Sequence, residues 1–395
     1  MSGSGRELLT RALRSIAPAT KADAAIYLAL SGGVDSSVAG LLLAERGWAV
    51  KPVLMRCWDD DSGEQDIGTC HEAELKTASA AAAALSLPEP EVFDFVKEYW
   101  TDVFDGVLLS GLEAGRTPNP DLACNRSVKF GAFPERLQQH AGTHVTPRFA
   151  TGHYARLRQD GEQTTLLAAV DENKDQTYFL SSVPGKALRK ACFPVGSLLK
   201  EEVRTIATYA GLPAATTRSS RGICFVGKRS MATFLERYLN GRKGVFIDAD
   251  SGSIVAELPH HAHTYTTGQR ARIGGSTGKA HYVLRRDGDN VLVVEGREHP
   301  KLYTTEQVCG QVDWVSGKAP DGLGREGIRL EYKSNSSARR LSCIVTADDG
   351  EGIIIQFERM QHIIVSGQAI VLYQGEVCLG AAWPSGQDES IQEKP

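Results

Sequence analysis

Ala24-Ala25-Ile26-Tyr27-Leu28-Ala29-Leu30-Ser31-Gly32-Gly33-Val34-Asp35-Ser36-Ser37 is the stretch whose reading decides the fold. Its first seven residues form a short apolar run, which reads as a strand. Two glycines then turn the chain into a helical stretch, Val38 to Arg46, and a second strand-like run follows from Val50 to Met55. Strand, glycine turn, helix, strand is the opening of a parallel α/β sheet. Glycines in such a turn let backbone N–H groups approach a phosphate, and the helix N-terminus adds a favourable dipole. The pattern is neither the P-loop GxxxxGK[ST] nor the dinucleotide GxGxxG.

The alternation continues outward from there. An alanine-rich helix around Ala78 to Leu85, a strand at Glu91 to Phe95, a helix through Leu112 and a strand at Arg148 to Thr151 lead to Gly152-His153. After about Leu212 the chain becomes basic and glycine-punctuated, with a helix at Met231 to Leu239. Beyond Tyr303 it breaks into short β runs at Ile328 to Tyr332, Leu341 to Thr346, Gly352 to Phe357, Ala369 to Tyr373 and Glu376 to Leu379, the pattern of a small β-barrel. A chain of 395 residues exceeds the roughly 250–300 that one core supports, so several domains are expected. They divide as an α/β domain over 1–220, a central domain over 221–302, a barrel over 303–384 and a polar, disordered tail over 385–395. No apolar run approaches the roughly 20 residues that cross a bilayer, so no membrane partner is expected.

Charge and cysteine usage narrow the chemistry. The net charge of −4 argues against indiscriminate coating of nucleic acid. Locally the sign reverses: Arg218, Arg221, Lys228, Arg229, Arg237, Arg242 and Lys243 face only Glu236, and Arg270, Arg272, Lys279, Arg285 and Arg286 face no acid. Those segments could grip a polyanion or be solvated basic faces. Eight cysteines scattered from Cys57 to Cys378, without CxxC or paired Cys/His spacing, speak against a disulfide framework, a zinc site or an iron–sulfur cluster. Any special cysteine should therefore be a reactive thiol. Pro118 and Pro120 are expected to keep the approach to Asp121 and Cys124 out of a regular helix. Arg126, Arg221 and Lys228 could favour a thiolate nearby.

The SGGVDS segment resembles the pyrophosphate loop of the N-type ATP pyrophosphatases, which split ATP between its α and β phosphates. That resemblance assigns Ala29, Leu30, Ser31, Gly32, Gly33, Val34, Asp35 and Ser36 to ATP and its Mg2+, with Met55 and Gly152 on the adenosine side. Further segments choose within that superfamily: Gly115-Arg116-Thr117-Pro118-Asn119-Pro120-Asp121-Leu122-Ala123-Cys124-Asn125, Thr151-Gly152-His153-Tyr154, Lys174-Asp175-Gln176, Gly222-Ile223-Cys224-Phe225, Thr267-Gly268-Gln269-Arg270 and Gly375-Glu376-Val377-Cys378-Leu379-Gly380. From Tyr27 to Leu379 the chain resembles the tRNA-specific 2-thiouridylases. The resemblance implies an N-type ATP pyrophosphatase domain, a central domain and a C-terminal β-barrel that together replace the C2 oxygen of a uridine by sulfur.

By the same resemblance Cys224 carries a persulfide, Cys124 completes the transfer and Asp121 serves as acid or base. Asn119, Pro120, Asp121, His153, Lys174, Asp175, Gln176, Tyr332 and Gln368 would meet tRNA, Tyr332 by stacking on an extruded base. The implied partners are tRNA and an upstream persulfide donor. The family's usual pattern is departed from at Arg56-Cys57-Trp58 and at Glu331. The competing readings are another member of the ATP pyrophosphatase superfamily, or a tRNA-binding or sulfur-relay protein without turnover. Arg6, Arg11, Arg14 and Lys21 among spaced leucines resemble an organellar presequence, although an ordinary lead-in helix has the same composition. With segments 96–104 and 187–190, which resemble the mitochondrial branch, they point to mitochondria, a bacterial cytoplasm being the alternative.

Overall fold

A computed structural model describes residues 4–20, 25–59, 69–142, 144, 147–216, 231–239, 241–273, 280–348 and 352–385. Cys224 and the basic residues Arg218, Arg221, Lys228 and Arg229 lie outside them.

The opening run folds as read. Strands β1 (Ala25–Ala29), β2 (Ala49–Arg56), β3 (Glu91–Asp94) and β4 (Phe149–Ala150) are followed by a hairpin, β5 (Arg156–Asp160) and β6 (Gln163–Leu167), and by β7 (Ala191–Cys192). β3, β2, β1, β4 and β7 form one parallel sheet in that order, so the strand order reverses beside β1. In open α/β sheets a ligand crevice opens outside the carboxyl ends of the strands at such a reversal. There β1 passes through Leu30 to Gly33 into the helix Val34–Glu45. That helix is apolar nearly all round, with Val34, Val38, Ala39, Leu42 and Leu43 buried, so packing fixes it rigidly behind the loop.

The chain start is a docked element. Residues Gly5–Leu13 form a helix with a Ser4/Glu7 capping box, burying Leu8 and Ala12 and pairing Arg11 with Glu202 of the helix Lys200–Tyr209. Two long helical runs, 96–113 and 120–140, each contain a π segment: Trp100–Leu109 and Cys124–Ala132. The expectation that prolines exclude a helix before Cys124 is corrected here. Asn119 caps the helix Pro120–Ala123 by accepting from the Asp121 and Leu122 amides at 3.1 and 3.3 Å, and Pro120 occupies the first turn, where its missing N–H costs nothing.

The central region adds β8 (Val245–Asp248), β9 (Ile254–Glu257), β10 (His281–Asp287) and β11 (Asn290–Glu295), a four-stranded sheet over a small core of Phe246, Tyr265, Val283, Val291 and Val293. Then come β12 (Tyr303–Trp314), β13 (Ile328–Lys333), β14 (Leu341–Ala347), β15 (Ile353–His362), β16 (Ile370–Gln374) and β17 (Val377–Pro384). Pairing of β12 with both β15 and β17 closes these six into a barrel. β12 escaped the sequence reading because its residues 303–307, Tyr-Thr-Thr-Glu-Gln, and its Gly310 break the apolar alternation. The β5/β6 hairpin reaches over from the α/β domain to pair Leu167 with Val377 of β17. Outward-facing barrel residues Val371, Tyr373, Cys378 and Ala381 share one core with Tyr27, Phe95 and Phe149 of the α/β domain.

Candidate active site

Gly32 has φ +74°, and a Cβ there would lie 2.6 Å from the Thr77 carbonyl, so only glycine allows this close passage. Gly33 caps the helix Val34–Glu45 without a side-chain acceptor, which leaves the first-turn N–H groups without an intrahelical partner. Ser36 and Ser37 instead donate to the Gly33 carbonyl at 3.1 and 2.9 Å, and Ser31 Oγ lies 3.2 Å from Ser36 Oγ. Gly152 closes the opposite wall: a Cβ there would sit 2.7 Å from the Ser36 nitrogen. Met55, next to the last residue of β2, is half-buried against the shared core.

Asp35 is held from two sides. Lys200 Nζ donates to both its carboxylate oxygens at 2.7 Å, and the Tyr154 hydroxyl donates to Oδ1 at 2.8 Å. Burial, and then the Asp35 charge, push the Tyr154 phenol well above its usual range, so it stays a donor. Tyr154 is in turn gripped by Gln176, which accepts from its amide at 2.8 Å and donates to its carbonyl at 2.9 Å. Neither Lys200 nor Tyr154 was singled out from sequence.

Gly152 and His153 connect this loop to the cysteine segment. His153 sits between Phe130 and Phe193, ring centroids 5.7 and 5.8 Å away, with Nδ1 2.7 Å from Thr151 Oγ1. Desolvation, helped by the Lys129 ammonium, lowers its pKa to about 3, so the ring is neutral at physiological pH. The same Lys129 faces Asp121. Solvent still reaches that carboxylate, yet enough protein surrounds it for desolvation to raise its pKa against the opposing pull of Lys129. Cys124 follows one helical turn later, 8% exposed. Arg126 is engaged elsewhere, with Asp313 at 2.7 Å and the Ser182 carbonyl at 3.0 Å.

Four further thiols are set apart by burial. Burial pushes Cys192 up to about 11, Cys309 and Cys343 up to about 12, and Cys378 higher still, so none is a ready nucleophile.

Two residues expected to contact tRNA are buried. Tyr332 is 1% exposed inside the barrel, its ring 4.7 Å from Phe357, and offers no face to a base. Asp175 is also buried, accepting from the Thr177 hydroxyl at 2.9 and 2.8 Å and facing Lys333 of β13 at 3.6 Å. Lys174 beside it is exposed, and Gln368 is half-buried at a cavity of about 390 Å³ shared with Tyr282, Arg297 and His362. Arg286, counted with the basic face, spends its guanidinium on the carbonyls of Leu112 (3.0 Å) and Arg116. Arg270 and Arg272 are exposed.

Three family descriptions match successive parts of the chain. Residues 24–228 match the family described as "tRNA methyl transferase HUP domain", 232–296 its PRC-barrel domain and 304–383 the "aminomethyltransferase beta-barrel domain". The chain is 38% identical over 362 residues to the tRNA-specific 2-thiouridylase MnmA of Chromohalobacter salexigens, covering 90% of this chain and 91% of the relative. It is 39% identical over 374 residues to that of Marinobacter nauticus, covering 92% and 91%. Among solved structures, an NMN synthetase from Francisella tularensis aligns at a TM-score of 0.36 and 12% identity over 60% of this chain and 82% of its own.

Proposed function

Because the chain belongs to the tRNA-specific 2-thiouridylase family, we propose that it activates the C2 oxygen of a tRNA uridine with ATP and replaces it by sulfur. The observation that carries this reading is the packing of the cysteine segment beside the glycine loop. Gly152 packs on Ser36 of the glycine loop, and His153 beside it packs on Phe130 of the helical segment that begins at Cys124, whose Lys129 faces both His153 and Asp121.

The loop fits a polyphosphate on its own geometry, with free first-turn N–H groups and no room for a Cβ at Gly32. ATP would supply the adenylyl group that makes the C2 oxygen a leaving group, and a bound Mg2+ would offset charge on the pyrophosphate. Asp35, the carboxylate of the glycine loop, would hold that ion on exchanging part of its pairing with Lys200. Asn119 and Pro120 present the base beside Asp121, which holds or releases a proton, and the neutral His153 contributes a hydrogen-bonding ring without added charge. Lys174, Gln176 and Gln368 border the path of the RNA.

Sulfur arrives as a persulfide on Cys224, delivered by a donor protein. The Cys124 thiolate attacks the Cys224 sulfur and forms a Cys124–Cys224 disulfide, releasing sulfide that adds at C2 and expels AMP; two electrons from a thiol reductant then reset the pair. A mitochondrial address is part of the same proposal, supported by the resemblance of segments 96–104 and 187–190.

The test is direct. With unmodified tRNA, ATP and a persulfide donor, nucleoside mass spectrometry should find 2-thiouridine from the wild type. Cys124→Ser should still release pyrophosphate and accept sulfur on Cys224 while making almost none. Full thiolation by that variant, or a persulfide found on Cys124, would sink the assignment.

A further inference from the structure

The first described residues strap together the two helices whose first turns face the glycine loop. Helix Gly5–Leu13 lies antiparallel along helix Lys200–Tyr209: Gly5 sits against Tyr209, where a Cβ has no room, and Arg11 pairs with Glu202. Leu8, Ala12 and Ile16 are buried in one core with Val203 and Ile206 of that helix and with Val38 of the helix Val34–Glu45. The chain then crosses to the far end of the latter helix. There Arg46 Nε donates to the Ile16 carbonyl at 2.8 Å, Trp48 Nε1 to the Ala17 carbonyl at 2.9 Å, and the Ala19 amide to the Arg46 carbonyl at 3.2 Å. Arg11, one of the basic residues that give this stretch the look of a presequence, is thus paired within the folded domain. Its partner Glu202 has two tasks. One oxygen accepts from the Leu199 amide at 2.9 Å, closing the first turn of helix Lys200–Tyr209, and the other meets Arg11.

We infer that residues 4–20 are a positioning element of the nucleotide site, with Arg11 as a positioning residue that acts through Glu202 on the turn opening helix Lys200–Tyr209. This rests on the nucleotide reading of the loop given above. The two helices come from distant parts of the sequence, so what packs across both of them sets how their first turns face each other. Leu8 is part of that packing and touches no group of the site, so trimming it leaves a cavity behind the site and loosens the two helices against each other. Arg11 works at the surface, its side chain 58% exposed. An exposed ion pair contributes little to global stability, but reversing its charge sets a second carboxylate beside Glu202 and draws that side chain off the Leu199 amide. The turn is then freed while the fold is kept. The effect of the strap is therefore on the geometry met by ATP, and the RNA-facing surfaces of the central domain and barrel are left as they are.

The experiment is steady-state pyrophosphate release by the full-length protein, with ATP varied at saturating tRNA and tRNA varied at saturating ATP, for wild type, Leu8→Ala, Arg11→Glu and Arg11→Lys. KM for ATP should rise about threefold or more in Leu8→Ala and in Arg11→Glu, with kcat and the KM for tRNA within about twofold of wild type. Arg11→Lys, which keeps the charge, should stay near wild type in both. Thermal melting of the same proteins should show Arg11→Glu close to wild type and Leu8→Ala lower, so the first variant reports on the site without a damaged fold. An unchanged KM for ATP in both variants, with Leu8→Ala melting lower, would make the segment purely structural and overturn the inference. Equal rises in the KM for ATP and for tRNA would overturn it too. A wild type that releases no pyrophosphate from ATP would instead overturn the nucleotide reading itself.

Discussion

His153 shows how one residue's surroundings set its chemistry. Packed between Phe130 and Phe193 and facing Lys129, it titrates near 3 in the folded protein, whereas an unfolded histidine titrates near 6.5. Above pH 6.5 both states are neutral and nothing is lost. As pH falls below 6.5 the unfolded chain takes up the proton first, so stability drops progressively toward pH 3. Between pH 6.5 and 5 the loss should reach at most about 2 kcal/mol. Urea unfolding at the two pH values should show a smaller drop in His153→Asn than in wild type. An identical drop would place the acid sensitivity in other groups.

At the scale of elements, the Lys174-Asp175-Gln176 segment reads as one polar unit but is divided by its backbone. Lys174 faces solvent, Gln176 holds Tyr154, and Asp175 turns inward to Lys333 on β13, with side chains 2% and 5% exposed. The pair thereby bolts the barrel to the α/β domain. Removing one member leaves a buried charge alone, so Asp175→Ala should cost about 3–5 kcal/mol. Adding Lys333→Met should restore part of that, since an apolar replacement of both partners removes the stranded charge. Chemical denaturation of the single and double variants checks this, and a double variant no more stable than Asp175→Ala would locate the cost in the Thr177 and Ala169 hydrogen bonds instead.

For the whole molecule the net charge of −4 is a poor guide to RNA binding, because the basic residues are not equivalent. Arg286 is spent between domains, on the Leu112 carbonyl at the end of the helical run 96–113 and on the Arg116 carbonyl just beyond it, while Arg270 and Arg272 stand exposed on the central domain. Each phosphate neutralised releases condensed counterions. tRNA affinity should therefore fall steeply with salt, and the Arg270→Glu/Arg272→Glu double variant should flatten the log–log slope by about one to two. Filter binding across a salt series measures it. An unchanged slope would turn this face away from the RNA.

The sequence by itself determined what depends on neighbours along the chain. β1, the glycine turn and the helix after it follow from an apolar run, two residues without Cβ and a buried helical stretch. The late β runs announced the barrel through alternation and glycine turns, and the order of the motifs identified the family. Even locally there was a limit: Pro120 reads as a helix breaker, yet at the first turn behind the Asn119 cap it begins one. Only the tertiary structure decided which side chains meet. Lys200 reaches Asp35 from 165 residues away, Tyr154 from 119, and Lys129 serves both Asp121 and His153. It also decided that Tyr332 turns inward, since a strand's two faces are assigned by what packs on them, and that Asp175, in a loop, turns inward to Lys333. Burial and charge pairing are properties of the assembled core, so a pattern with a period of two or 3.6 residues carries no record of them.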